Sequence, residues 1–215
     1  AVVGGGADES VSALTARAEA LDSERVVLMG PAGTAGGLTD GIYLAAAAAG
    51  AIAGESDPAV PLGGAALGGI TAVSAAYTDT EINTLVRGGV TPVECVGGTV
   101  SVVRGVTTRT TTAGVPDATW RELSTILIVD SVIPSIRNSL RAKFARTKNT
   151  AQQRGAIRSQ VILELEDKKT REIITDYGSV GVSVSASSPT VCQVEFSFAV
   201  AHGLNQIILT AHITV

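Results

Sequence analysis

The sequence predicts an α+β or α/β fold, with a mixed β-sheet flanked by helices and a C-terminal part that runs helix, then strands. Three observations predict it. Short apolar runs alternate with helical-period segments through the first part of the chain. Two long helical patterns follow near the middle, and β-type runs then dominate to the end.

Taken in order, AVVGGG reads as a strand end running into a glycine turn. ADESVSALTARAEAL sets Val11, Leu14, Ala18 and Leu21 at helical spacing behind acidic and Ser residues. ERVVLMG is a short buried strand, and PAGTAGGLTDG a loop. TDGIYLAAAAAGAIAG is an Ala-rich helix with a Thr or Asp cap, expected to be buried nearly all round. ESDPAVPLGGAALGG is a long Gly/Pro connection, and GITAVSAA a strand. TDTEINTLVRGG opens on the capping box Thr78-x-x-Glu81 and stops at Gly88-Gly89.

VTPVECVGGTVSVVRGVTTRTTT reads as two strands turning at Gly97-Gly98, and Arg121 to Val129 as another strand. VIPSIRNSLRAKFAR is a helix with Ile133, Ile136, Leu140 and Phe144 on one face, arginines on the other and Pro134 in its first turn. A second helix runs from about Thr150 to Lys168 on the stripe Ile157, Val161, Leu165. SVGVSVSA and VCQVEFSFAV are strands. LNQIILTAHITV closes the chain with apolar residues at Ile207, Leu209, Ala211, Ile213 and Val215, the period of a strand with one buried face. Such a strand closes its own sheet or lends its edge to another molecule. A soft boundary near residue 130 separates a lobe over 1–130 from one over 131–215. The first residue is Ala1, with neither Met nor a targeting leader, which suggests a piece of something longer.

Composition narrows the function. Hydrophobic residues make up 45% and mean hydropathy is +0.33, yet aromatics are only 3% and there are 24 Gly, so backbones are expected to pack closely. The longest apolar run, Ile42 to Ala53, is too short to span a bilayer. Cys95 and Cys192 have no CxxC spacing and read as free, buried thiols of a reducing compartment. With His202 and His212 they supply too few ligands for zinc. GPAGTAGG follows a strand but matches neither the Walker nor the dinucleotide glycine pattern. No nucleophile elbow or HExxH accompanies the two histidines. The sequence therefore assigns no catalytic, cofactor-binding or metal residue.

Charge is uneven. Arg137, Arg141, Lys143, Arg146, Lys148, Arg154 and Arg158 fall in one stretch without an acidic residue, while the rest of the chain holds 9 basic and 20 acidic residues. Such a stretch suits an acidic partner surface, including another copy of the chain; the alternative is a solvated helix face. An acidic chain without aromatics between its cations does not suit nucleic acid.

Three stretches resemble the contractile tail sheath proteins of myophages, of the Mu-like type also found in phage-derived contractile particles. They are GIYLAAAAAGAIAGESDPAVPLGGAALGGI, LVRGGVTPVECVGGTVSVVRGVTTRTTTAGVPDATW and SIRNSLRAKFAR. The resemblance implies a structural subunit without enzymatic activity, in rings of six stacked around a tail tube, that shortens by sliding and rotating. It implies partners in the tube, baseplate and tail terminator proteins, no membrane insertion, and a place in the virion tail after assembly in the host cytoplasm. It further implies an N-terminal arm, absent here or upstream of Ala1, and terminal strands shared between subunits. A phage tube or baseplate subunit, or a small-residue-rich oligomeric enzyme, is the competing reading.

Overall fold

The computed structural model describes residues 1–205 and 210, in two compact units that divide between Ile126 and Leu127. The first comprises Ala1–Ser56 and Val60–Ile126, with Gly203, Leu204 and Asn205; Asp57–Ala59 and Leu127–His202 form the second.

The first unit is built on a four-stranded sheet in the order β1-β2-β6-β7 (Val2–Gly4, Val27–Gly30, Val90–Val96, Thr99–Val102). β1, β2 and β6 are parallel, and β7 returns antiparallel to β6, so the sheet is mixed. All four β2 residues are buried, as expected of a central strand covered on both faces. Helices α1 (Val11–Leu21) and α3 (Asp79–Arg87) cover one face, where Leu14, Ala18, Leu28, Leu85 and Val90 form a core.

Helix α2 (Gly41–Gly54) packs on the opposite face, and the glycines of AVVGGG explain how. A Cβ on Gly5 would meet Leu14 of α1 at 2.8 Å, whereas a Cβ on Gly4 would lie 1.9 Å from the Gly41 carbonyl oxygen. Successive strand residues point to opposite faces, so the end of β1 is gripped by α1 on one side and by the backbone of α2 on the other. Only Gly41, Leu44 and Ala48 of α2 are buried. The expectation of all-round burial is therefore corrected: Ile42 is 67% exposed. Small side chains fit either environment, so composition could not reveal which face was covered.

The capping box forms as predicted, with the Thr78 amide donating to Glu81 Oε2 at 2.8 Å and the Glu81 amide to Thr78 Oγ1 at 3.4 Å. PAGTAGGLTDG is not simply a loop. It forms the hairpin β3 (Gly33–Ala35) and β4 (Leu38–Asp40), to which β5 (Ala72–Val73) adds a short third strand. Its turn residues Gly36 and Gly37 have φ of 58° and 82°, and Gly97 and Gly98 of the β6–β7 turn have 59° and 82°. Both turns demand the left-handed region twice in succession, which only paired glycines supply freely.

Helix α4 (Leu123–Phe144), most of which belongs to the second unit, begins where a strand over 121–129 was expected, and Pro134 lies well inside it rather than in the first turn. Ser124, Thr125, Ile126 and Ile128 are all buried, so the start of the helix has no charged, solvent-facing side to show in sequence. The apolar stripe is Ile128, Val132 and Ile136 with Leu140, while Ile133, assigned to the buried face from the sequence, is 37% exposed. Helix α5 (Ala151–Thr170) runs as predicted, its cap Thr150 accepting from the Gln153 amide and Val161 and Leu165 buried. β10 (Ile174–Tyr177) pairs with β13 (Phe198–Val200), and β11 (Gly181–Ser185) with β12 (Ser188–Glu195). The single strand read from VCQVEFSFAV is thus two. Ile174 at the start of β10, with Ile173 and Val180 just before β10 and β11, closes the core.

Cys95 is exposed and Cys192 half-buried, both free, so the thiols are unbridged but not the buried pair expected. No described helix is long and apolar enough to cross a membrane.

Candidate functional site

The cationic stretch maps onto the helical hairpin of α4 and α5. Its helices are held by the apolar stripe and by a polar seam along it. Gln160, buried, donates through Nε2 to Ser139 Oγ at 2.7 Å and to Glu164 Oε1 at 3.0 Å, and accepts from Lys143 Nζ at 2.5 Å. Ser135 Oγ donates to Glu164 Oε2 at 3.2 Å. Burial alone would raise the pKa of Glu164. The hydroxyls of Ser139 and Ser135, the Gln160 amide and the Lys168 charge outweigh it, and the carboxylate sits below its ordinary range. A buried polar group without a partner is costly, so this seam fixes one register of the two helices.

The seven cations divide. Lys143 belongs to the seam. Arg158 Nε donates to the Val180 carbonyl at 3.0 Å, and Arg154 Nη1 to Asn149 Oδ1 at 3.2 Å. Arg137, Arg141, Arg146 and Lys148 are exposed, and their side chains make no hydrogen bond or ion pair among the described residues. Arg137 and Arg141 are one helical turn apart on α4, and Arg146 and Lys148 follow in the loop, with Arg146 at a φ of 60°. The other assembly element expected from the sequence, Ile207, Leu209, Ala211, Ile213 and Val215, lies outside the described residues.

A second cluster was not anticipated. The Thr-rich segment after Arg104 holds little strand: β8 (Thr111–Thr112) and β9 (Val115–Pro116) have two residues each. Its hydroxyls instead clasp the turn after α1. Thr108 Oγ1 donates to the Ser23 carbonyl at 3.0 Å, and Arg109 Nη1 pairs with Glu24 at 2.7 Å. The Asp22 carboxylate accepts from the Thr110 and Thr111 amides and the Thr111 hydroxyl. Within the same segment, Asp117 accepts from the Thr119 hydroxyl and amide and from the Thr112 hydroxyl, in that order of weight, which holds its pKa at about 2. The run of Thr residues and the Pro116-Asp117-x-Thr119 turn are what the sequence shows of this.

The Asp117 pKa is depressed from its ordinary 3.8, so the stabilisation it provides is complete above that value and is lost as pH falls through about 2. NMR titration of the Thr119 amide is expected to show a midpoint near 2, absent in Asp117→Asn. A midpoint at 3.8 would remove the hydroxyl clasp from the account.

Residues 1–108 match the phage tail sheath protein central domain, and residues 115–214 match the phage tail sheath C-terminal domain. The chain belongs to the phage tail sheath family. No curated protein matches the sheath chain in sequence at a significant level. Its fold is similar to that of a chain in the baseplate of the anti-feeding prophage, with a TM-score of 0.70 and 15% identity over 96% of this chain and 66% of that one. It is similar to the helical sheath of the same particle in the contracted state, with a TM-score of 0.70 and 16% identity over 88% and 56% of the two chains. The sheath tail protein of Desulfitobacterium hafniense matches with a TM-score of 0.61 and 16% identity over 85% and 47%. The sheath chain thus spans about half to two thirds of the length of these structures.

Proposed function

We propose that the protein is a structural, non-catalytic subunit of a contractile phage tail sheath. It polymerises as stacked rings of six around a tail tube and shortens to drive the tube through the host envelope. The observation that carries this reading is the match of both sheath domains, which together span nearly the whole chain. The fold it shares with a contracted helical sheath supports it. In this reading the subunit's partners are its own copies and the tube, baseplate and terminator proteins of the tail. Its place is the virion tail, after assembly in the host cytoplasm. The assembly elements are the cationic hairpin, from Arg137 to Arg158, and the strand-patterned segment with Ile207, Leu209, Ala211, Ile213 and Val215, which pairs with a sheet edge of a neighbouring subunit.

Electron microscopy of the concentrated full-length protein is expected to show rings or tubules, and persistently monomeric particles would reject the reading. Deleting residues 206–215 is expected to leave a folded, soluble monomer that no longer forms them. If the segment instead covered its own subunit's core, its four large apolar side chains would each contribute roughly 1.5–3 kcal/mol. The truncated chain would then unfold, which a thermal melt and sedimentation of one sample distinguish.

A further inference from the structure

We infer that the cationic stretch is two devices. A strip of four residues, Arg137, Arg141, Arg146 and Lys148, docks on the acidic first unit of a second copy. Lys143, Arg154 and Arg158 shape the hairpin that presents it. The inference rests on the polymer reading and goes beyond it, since sequence alone treats the seven cations alike.

Three observations carry it. The first is the division of partners. Lys143 gives its ammonium to buried Gln160, Arg158 caps the Val180 carbonyl, and Arg154 holds Asn149 at the hairpin tip. Lys143 and Arg158 are exposed as well, but a side chain already held by a bond within its own chain must give up that bond or its geometry to serve a second one, whereas the side chains of the four strip residues have no such bond among the described residues. The second is spacing. Arg137 and Arg141 share a face one turn apart, and Arg146 and Lys148 extend the charge into the six-residue connection between Phe144 and Ala151. No acidic residue interrupts the stretch from Arg137 to Arg158.

The third observation selects the occupant. The first unit carries 12 acidic and 6 basic residues, a net charge of −6. Among its carboxylates, Asp8, Glu19, Asp79 and Glu94 are exposed and make no ion pair or hydrogen bond among the described residues. The chain thus carries both halves of a charge-complementary pair, and a repeated head-to-tail contact uses both on every copy.

The test compares two variants of the full-length protein in assembly followed by light scattering from low to high salt, with thermal melts of each. Arg137→Gln with Arg141→Gln is expected to leave the melting temperature unchanged. It should raise the concentration needed for assembly at low salt by about threefold to tenfold and flatten the salt dependence. Lys143→Met is expected to do the reverse, lowering the melting temperature by a few degrees while keeping the wild-type salt dependence. If Lys143→Met flattens the salt dependence as much as the double variant does, the division is overturned. If wild-type assembly is insensitive to salt, or the double variant assembles like wild type alone and fails only when another tail protein is added, the second copy is not the occupant. Failure of the wild-type protein to assemble at any salt overturns the polymer reading, and this inference with it.

Discussion

Gly41→Ala is expected to unfold the first unit, even though the substitution places the best helix former in a helix. Propensity alone would favour alanine by about 1 kcal/mol. The backbone decides otherwise. A Cβ at Gly41 would lie 2.3 Å from the Gly5 carbonyl oxygen and 2.7 Å from the Gly4 carbonyl carbon, both main-chain atoms of the strand end that α2 packs against. No rotamer change relieves such an overlap, so the helix must move off the sheet. The cost is of the order of 3–5 kcal/mol, in the exceptional range for one substitution and comparable to the stability of a small domain. Gly50 is the control. It lies in the same helix with nothing within 4 Å of its missing Cβ, and Gly50→Ala is expected to stabilise by roughly 0.5–1 kcal/mol. Chemical denaturation of both variants measures the two signs, and a Gly41→Ala protein as stable as wild type would show that α2 does not depend on that close approach.

Ile136→Ala is expected to destabilise the second unit by about 2–4 kcal/mol, and Ile133→Ala by less than about 1 kcal/mol. The two side chains are alike and three residues apart, but Ile136 is 3% exposed within the core while Ile133 is 37% exposed. For a unit of this size the first change corresponds to a fall in melting temperature on the order of 10 °C. Equal losses from the two substitutions would mean that the helix presents a different face to the core of the second unit.

The same pair shows why part of the fold was legible and part was not. Helices with a cap and one polar face were read correctly. Thr78 and Glu81 mark the start of α3, and Thr150 that of α5, because capping chemistry is local. The β6–β7 hairpin was equally plain from Gly97-Gly98. The start of helix α4 reads as a strand because LSTILIV holds only small hydroxyl residues and aliphatic ones, with no charge to mark a solvent face. A fully buried helix and a buried strand share that signature. Pro134 points to a start near it, whereas the helix begins further upstream at Leu123; Ile136 and Leu140 lie on the observed stripe, but Val132 stands on it in place of Ile133. The paired strands of the second unit depend on which segments meet in space, and nothing local marks the division of VCQVEFSFAV into β12 and β13.

At the candidate site, the cationic stretch was visible as composition, but its division was not. That Lys143 serves Gln160 while the Arg141 side chain has no partner among the described residues depends on where α5 lies beside α4. The clasp of Asp22 by Thr110 and Thr111 joins residues 88 and 89 positions apart, beyond any local pattern.

The exposed thiol of Cys95 has a practical consequence. It stands on β6 close to the Gly97-Gly98 turn, while Cys192 is partly covered by its surroundings. A maleimide dye under limiting conditions therefore attaches first to one defined point of the first unit. In a polymer, every copy would then carry a reporter at the same place. Changes in the spacing between neighbouring dyes would be readable by energy transfer as the assembly shortens, without altering any residue of the hairpin.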